Sequence, residues 1–95
     1  MVNESNEKYS WDPVKRELNI RKRKLDIAES ADKIFAASDI VIKLDDRNDY
    51  QEKRYQAYAT AEGIKMCLCF TPRGDKIHLI TIFKVKEKVW RKHHG

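Results

Sequence analysis

After Ala36 the spacing of apolar residues changes from helical to alternating, and that one change of period decides most of what this chain can fold into. Before it, Val14, Leu18 and Leu25 recur at helical intervals, as do Ile27, Ala31, Ile34 and Phe35. After it, Ile40, Ile42 and Leu44 alternate, which puts them on one face of an extended strand. A chain written in this order makes helices first and strands second. That is the pattern of an α+β layer fold rather than of repeating βα units.

Local signals set the element boundaries. Asp12 before Pro13 predicts a helix start, the aspartate accepting from orphan N–H groups and the proline sitting where its missing N–H costs nothing. This helix is expected to reach about Lys24, with Val14, Leu18 and Leu25 turned inward. Asp12, Lys15, Asn19 and Lys22 form a separate, mostly cationic stripe. Asp26 with Glu29 three residues later announces a second helix ending near Ala36. The polar run 45–49 closes the first strand. Strands over 53–61 and 64–71 meet at Glu62-Gly63, a tight hairpin signal, and Thr71-Pro72-Arg73-Gly74-Asp75 makes the next connection. The last strand, Ile77–Val85, carries Ile77, Leu79 and Phe83 on one face and Ile80 and Ile82 on the other, so it is expected to be central and covered on both sides. The expectation is two N-terminal helices packed on a small antiparallel sheet. One domain spans 1–95, with its core at about 9–86 and a basic tail at 87–95 that is either a short helix or a frayed end.

Composition narrows the class. The 95 residues are 41% hydrophobic and 37% charged, too apolar for a disordered chain and too polar for a bilayer. No apolar run approaches the roughly 18 residues of a membrane span. Met1–Tyr9 is polar rather than basic and then apolar, so a cytoplasmic address is expected. Cys67 and Cys69 read as buried reduced thiols, since no CxxC or Cys/His set accompanies them, and neither a metal nor another cofactor is expected. The net charge of +5 is unevenly spread. Lys15, Arg16, Arg21, Lys22, Arg23 and Lys24 face only Glu17, acids outnumber bases over 26–62, and Lys84, Lys86, Lys88, Arg91 and Lys92 restore the surplus. Two basic ends around an acidic middle suit a polyanion on one surface and a cationic partner on another; a solvated face is the plainer alternative.

In order and spacing, these signals resemble the BrnT toxin family across about residues 9–86. That family opens on Trp-Asp followed by Lys and Asn, then Lys-His-Gly and Leu/Val-Asp-Phe leading to Val-Phe. Here the corresponding residues are Trp11-Asp12, Lys15, Asn19, Lys22, Leu25-Asp26-Ile27 and Ile34-Phe35. Its middle, Asp-Asp-Arg-Arg-Asp-Tyr-x-Glu-x-Arg-Tyr, is matched by Asp45 through Tyr55, and its Thr-Pro-Arg-Gly-Asp stands intact as Thr71 to Asp75. The resemblance implies a RelE-like fold and an endoribonuclease that arrests growth. It also implies a cognate BrnA-type antitoxin with a ribbon-helix-helix domain, through which alone the pair would reach operator DNA. Two departures touch the chemistry. Lys22-Arg23-Lys24 stands where the family has Lys-His-Gly, replacing a proton shuttle by a permanent cation. Thr81-Ile82-Phe83 stands where it has Ser-x-Arg, keeping the hydroxyl and losing the guanidinium.

Metal-independent RNA cleavage needs a deprotonated 2′-oxygen, a neutralised phosphate and a protonated leaving oxygen. On the resemblance, Lys22 is the proton-transfer group or a phosphate clamp, Arg54 and Arg73 are clamps, and Thr81 positions a phosphate oxygen. Lys15, Asn19 and Arg23 bind RNA. Each has a plainer competitor: a solvated helix stripe with Asn19 bonding local backbone, or an ion pair of Arg54 with Glu52 and Asp49. Trp11 reads as a core plug, His78 as a satisfied or surface histidine, and His93 and His94 as a mobile tail. Besides an active ribonuclease toxin, two functions stay open: a catalytically weakened homologue that binds its antitoxin or RNA, and a nucleic-acid-binding regulator without catalysis.

Overall fold

The computed structural model describes residues 3–46 and 51–94. Strands β1 (Glu4–Ser5) and β2 (Tyr9–Trp11) precede helices α1 (Pro13–Arg23) and α2 (Ile27–Phe35). Strands β3 (Val41–Asp45), β4 (Arg54–Ala61), β5 (Ile64–Arg73) and β6 (Lys76–Lys84) follow, and helix α3 (Glu87–His94) is the last of the described elements. The order across the sheet is β1-β2-β6-β5-β4-β3. Every pairing is antiparallel except that of β2 with β6. The architecture is therefore α+β as expected, but the sheet is larger than the small antiparallel one predicted, and it is mixed. The cause is the segment before α1: residues 9–11 pair in parallel with 77–79, and three residues are too few to show a period in sequence.

Both predicted caps form. The Asp12 carboxylate accepts from the Val14 N–H at 2.9 Å, and Lys24 ends α1 in the left-handed conformation at φ 59°. Asp26 accepts from the N–H groups of Ala28 and Glu29. At the first hairpin Glu62 and Gly63 take φ of 52° and 76°, the consecutive left-handed pair of a two-residue turn between Ala61 and Ile64. The second connection is shorter than expected, since Thr71–Arg73 stay in β5 and only Gly74 and Asp75 turn, Gly74 at φ 61°. The polar run closing β3 continues past Asp46 outside the described residues.

The main core lies between α2 and one sheet face. Ile27, Ala31 and Ile34 pack on Leu68, Phe70, Leu79 and Ile82, and the small Ala57 and Ala59 on β4 let the helix approach closely. On the opposite face Tyr58, Cys67, Cys69 and Ile80 are covered by Trp90 of α3. The expectation for β6 holds in that it is covered on both faces, yet its sides are assigned differently. Cys69 pairs with Thr81 and Phe70 with Leu79, so Ile80 is the extra residue of a bulge. Beyond it the alternation reverses: Leu79 and Ile82 share the α2 face, and Ile80 shares the other with Phe83.

The inward stripe predicted for α1 is corrected in part: Leu25, just past the helix, is buried in the core as expected. Val14 and Leu18 are 50% and 41% exposed, while the buried position of the helix is Asn19. Polar partners hold that face in place. Arg16 donates from Nε and Nη2 to both Asp26 carboxylate oxygens at 2.9 Å each, tying α1 to the cap of α2. That guanidinium holds the Asp26 carboxyl below the usual carboxylate range. Because the folded value is depressed, its stabilisation is present above the unfolded value of about 3.9 and is lost as pH falls through the folded one. Asp26→Ala removes both cap and pair and is expected to cost about 2 kcal/mol near neutral pH. The deficit should shrink in acid. Urea unfolding at the two pH values checks this, and equal midpoints near neutral pH would show the link to be passive.

Candidate functional site

One face of α1 and the bulge of β6 enclose a pocket of about 260 Å³. Lys15, Leu18, Asn19, Lys22 and Arg23 reach it because they follow one another at three- and four-residue steps of a helix. From β6 the lining residues are Ile80 and Thr81. The bulge explains why two consecutive strand residues share a wall, since it sets both on one side of the sheet. Parallel pairing with β2 ends at Leu79, so α1 rather than another strand borders β6 from there on.

Within the pocket one guanidinium is held by three acceptors. Arg23 Nη1 donates to the Ile82 carbonyl at 2.8 Å, to Thr81 Oγ1 at 3.1 Å and to Asn19 Oδ1 at 3.2 Å. Its charged plane lies 5.8 Å from the centre of the Phe83 ring. Asn19 Nδ2 donates back to the Lys15 carbonyl at 2.9 Å, the local backbone bond that competed with an RNA-binding role in the sequence. Buried as it is, Asn19 anchors Arg23. Lys15 and Lys22 carry no such ties among the described residues and stand exposed at the rim. The structure thus brings together Lys15, Asn19, Lys22, Arg23 and Thr81 of the predicted site residues.

Arg54 and Arg73 form a second group, joined by a carboxylate. Arg73 Nη2 lies 3.3 Å and Arg54 Nε 3.7 Å from the same oxygen, Glu52 Oε1. The anticipated Arg54–Glu52 pairing is present; Asp49 lies outside the described residues.

His78, read from the sequence as a satisfied or surface histidine, is within the electrostatic reach of both groups. It is buried, and its Nδ1 lies 2.8 Å from Ser10 Oγ, a contact made by the parallel register of Ser10 opposite His78. Burial pushes the His78 imidazole below its ordinary value, and Arg73 and Lys15 push the same way against Glu52 and Asp12. Its ring therefore feels one cation from each group. No sequence signal pointed to Ser10, because the contact depends on a strand too short to read.

Trp11 is buried in the core as expected, and Cys67 and Cys69 are buried thiols. His93 and His94, predicted to be a mobile tail, belong to α3 instead: His93 stacks on Tyr58 at 4.2 Å and His94 on Trp90 at 3.7 Å. Among the described residues no group of three or more His, Cys, Asp or Glu side chains is arranged to hold a metal ion, and no helix is long and apolar enough to cross a membrane. Clustered exposed cations around a hydroxyl and a fixed guanidinium are suited to binding the phosphates of a polyanion. A family model described as ribonuclease toxin, BrnT, of type II toxin-antitoxin system matches residues 11–88. No curated protein and no solved structure matches the chain.

Proposed function

Because the chain belongs to the BrnT family of ribonuclease toxins of type II toxin–antitoxin systems, we propose that it is a RelE-like endoribonuclease that cleaves RNA in the pocket between α1 and β6 without a metal ion. Convergence of four basic or hydroxyl side chains from two elements, Lys15, Lys22, Arg23 and Thr81, is the observation that carries this reading. Nη1 of Arg23 is spent on protein acceptors, which leaves Nη2 and Nε to meet a phosphate as charge grows on its oxygens. Thr81 positions one of those oxygens. Lys22, exposed in water, suits the clamp role better than proton transfer, and Lys15 and Lys22 grip the flanking backbone. Arg54 and Arg73 receive a neighbouring phosphate, which competes with Glu52 for them.

That competition favours one second reading, a homologue that binds its antitoxin or RNA but cleaves slowly. In either case a cytoplasmic BrnA-type ribbon-helix-helix antitoxin covers the basic surface, and contact with operator DNA runs through that partner.

Single-turnover cleavage of a mixed-sequence RNA in the presence of a chelator tests the proposal. Cleavage should persist; its abolition by the chelator would refute metal independence. Binding should weaken steeply with salt, and the double change Lys15→Ala and Lys22→Ala should reduce the slope against log salt by about 1.4, two phosphate contacts on a single strand. An unchanged slope removes α1 from the RNA surface.

A further inference from the structure

We propose that His78 is a catalytic residue of this site, its Nε2 taking the proton from the 2′-hydroxyl of the nucleotide whose phosphate lies in the α1–β6 pocket. The assignment rests on the ribonuclease reading above and adds to it the group that moves the proton, which none of the pocket cations is suited to be.

Placement is the first argument. His78 precedes Ile80 and Thr81 on β6, and the bulge puts all three on the same sheet face, opposite Thr71 and Cys69 of β5. Two residues along a strand span about 7 Å, so the imidazole lies one short step from the wall of the pocket. Lys15 links the two places, lining the pocket while bearing electrostatically on His78.

Chemistry of the ring is the second. Nδ1 is engaged by Ser10 Oγ, whereas Nε2 has no hydrogen-bond partner among the described residues, in a residue that is 7% exposed. A purely structural histidine at this depth would be expected to use both nitrogens. When Nδ1 carries the proton and donates it to Ser10, Nε2 is left with a lone pair that can accept one. Ser10 is then a positioning residue that selects the tautomer. The charged groups facing the ring are Asp12 and Lys15 from the start of α1, Arg73 from β5 and Glu52 ahead of β4. Burial first, then Arg73 and Lys15 against Glu52 and Asp12, lowers the imidazole from its ordinary value and so favours the neutral ring, the form able to accept a proton.

The step balances. The 2′-hydroxyl proton passes to Nε2 while the 2′-oxygen forms its bond to phosphorus. The bond from phosphorus to the 5′-oxygen breaks, and that oxygen leaves with a proton from water. A 2′,3′-cyclic phosphate and a 5′-hydroxyl result, and the imidazolium returns its proton to solvent.

The test is the pH profile of single-turnover cleavage for wild type, His78→Gln, His78→Ala and Ser10→Ala, beside the affinity of each for a 2′-O-methyl RNA that cannot react. Wild-type rate should rise with pH and level off above an apparent pKa below the ordinary histidine value of about 6.5. His78→Gln should lose about a hundredfold or more and lose that limb while binding the inert RNA as wild type does. Added imidazole should partly restore His78→Ala, and Ser10→Ala should shift the limb without abolishing it. Wild-type rate and profile in His78→Gln would overturn the assignment alone. So would loss of inert-RNA binding in both His78 variants without rescue by imidazole. A wild type inert toward RNA at every pH would overturn the ribonuclease reading and this assignment together.

Discussion

Replacing Arg23 with alanine is expected to slow RNA cleavage by about a hundredfold to a thousandfold, the usual loss for one preorganised transition-state donor, while the protein stays folded. The rate effect is large because this guanidinium is fixed before substrate arrives. Three acceptors on α1 and β6 hold Nη1, so no ordering of a long side chain is left for the moment of reaction. The stability effect is small because Arg23 is exposed in the last turn of α1 and its removal leaves no cavity. Arg23→Lys should restore little, since one ammonium cannot bond Thr81 and Ile82 and also present a planar pair of donors to a phosphate. Single-turnover rates for the three proteins, with matched thermal melts, decide the matter. Wild-type cleavage by Arg23→Ala would mean that the scissile phosphate lies elsewhere.

The same geometry changes the meaning of the departure at Phe83. Sequence comparison suggested that the guanidinium beside the Thr81 hydroxyl is lost, and on that reading Phe83→Arg should raise activity. In the structure a guanidinium does stand beside Thr81, delivered from the helix by Arg23 and seated over the Phe83 ring. An arginine at 83 would remove the aromatic seat and set a second cation against the first. Phe83→Arg is therefore expected to give no gain in rate.

What the sequence disclosed, and what it hid, follows from the range of the interactions involved. The caps at Asp12 and Asp26 and the turn at Glu62-Gly63 are decided by residues within three positions of one another, and these were readable. The cationic face of α1 was readable too, because a helix repeats its own faces. Its burial was not: counting apolar residues turned Val14 and Leu18 inward, whereas Asn19 and Arg16 are drawn in by partners on β6 and α2 that no period announces. The bulge at Ile80 hid the true faces of β6, as a one-residue insertion reverses everything beyond it. His78 was set aside because a lone histidine on a strand has no partner in sequence. Its neighbours Ser10, Lys15 and Arg73 come from three other elements.

Trp90→Ala is expected to cost about 3–5 kcal/mol, although the sequence left 87–95 as either a short helix or a frayed end. The indole is 8% exposed and closes the sheet face opposite α2 over Tyr58, Cys67, Cys69 and Ile80. His94 stacks on it with the rings 9° from parallel, and Lys65 Nζ lies 5.6 Å from its centre while also reaching Glu87 Oε2 at 2.6 Å. Those contacts are added to the transfer of a large ring from water, and truncation leaves a void that the sheet cannot collapse to fill. For a chain of this size the loss amounts to at least about 12 °C in melting temperature. Lys88→Ala and Lys92→Ala, on exposed positions of the same helix, should stay within about 0.5 kcal/mol of wild type. Because Ile80 belongs both to the Trp90 cluster and to the wall of the α1–β6 pocket, the substitution should also weaken RNA cleavage at temperatures where the protein is still folded. Thermal unfolding of the three variants, with cleavage measured well below the transition, separates the two effects. If Trp90→Ala melts with wild type, α3 is an appendage and the domain ends at β6. If it melts early and cleaves normally while folded, the face that α3 covers supports the fold without shaping the pocket.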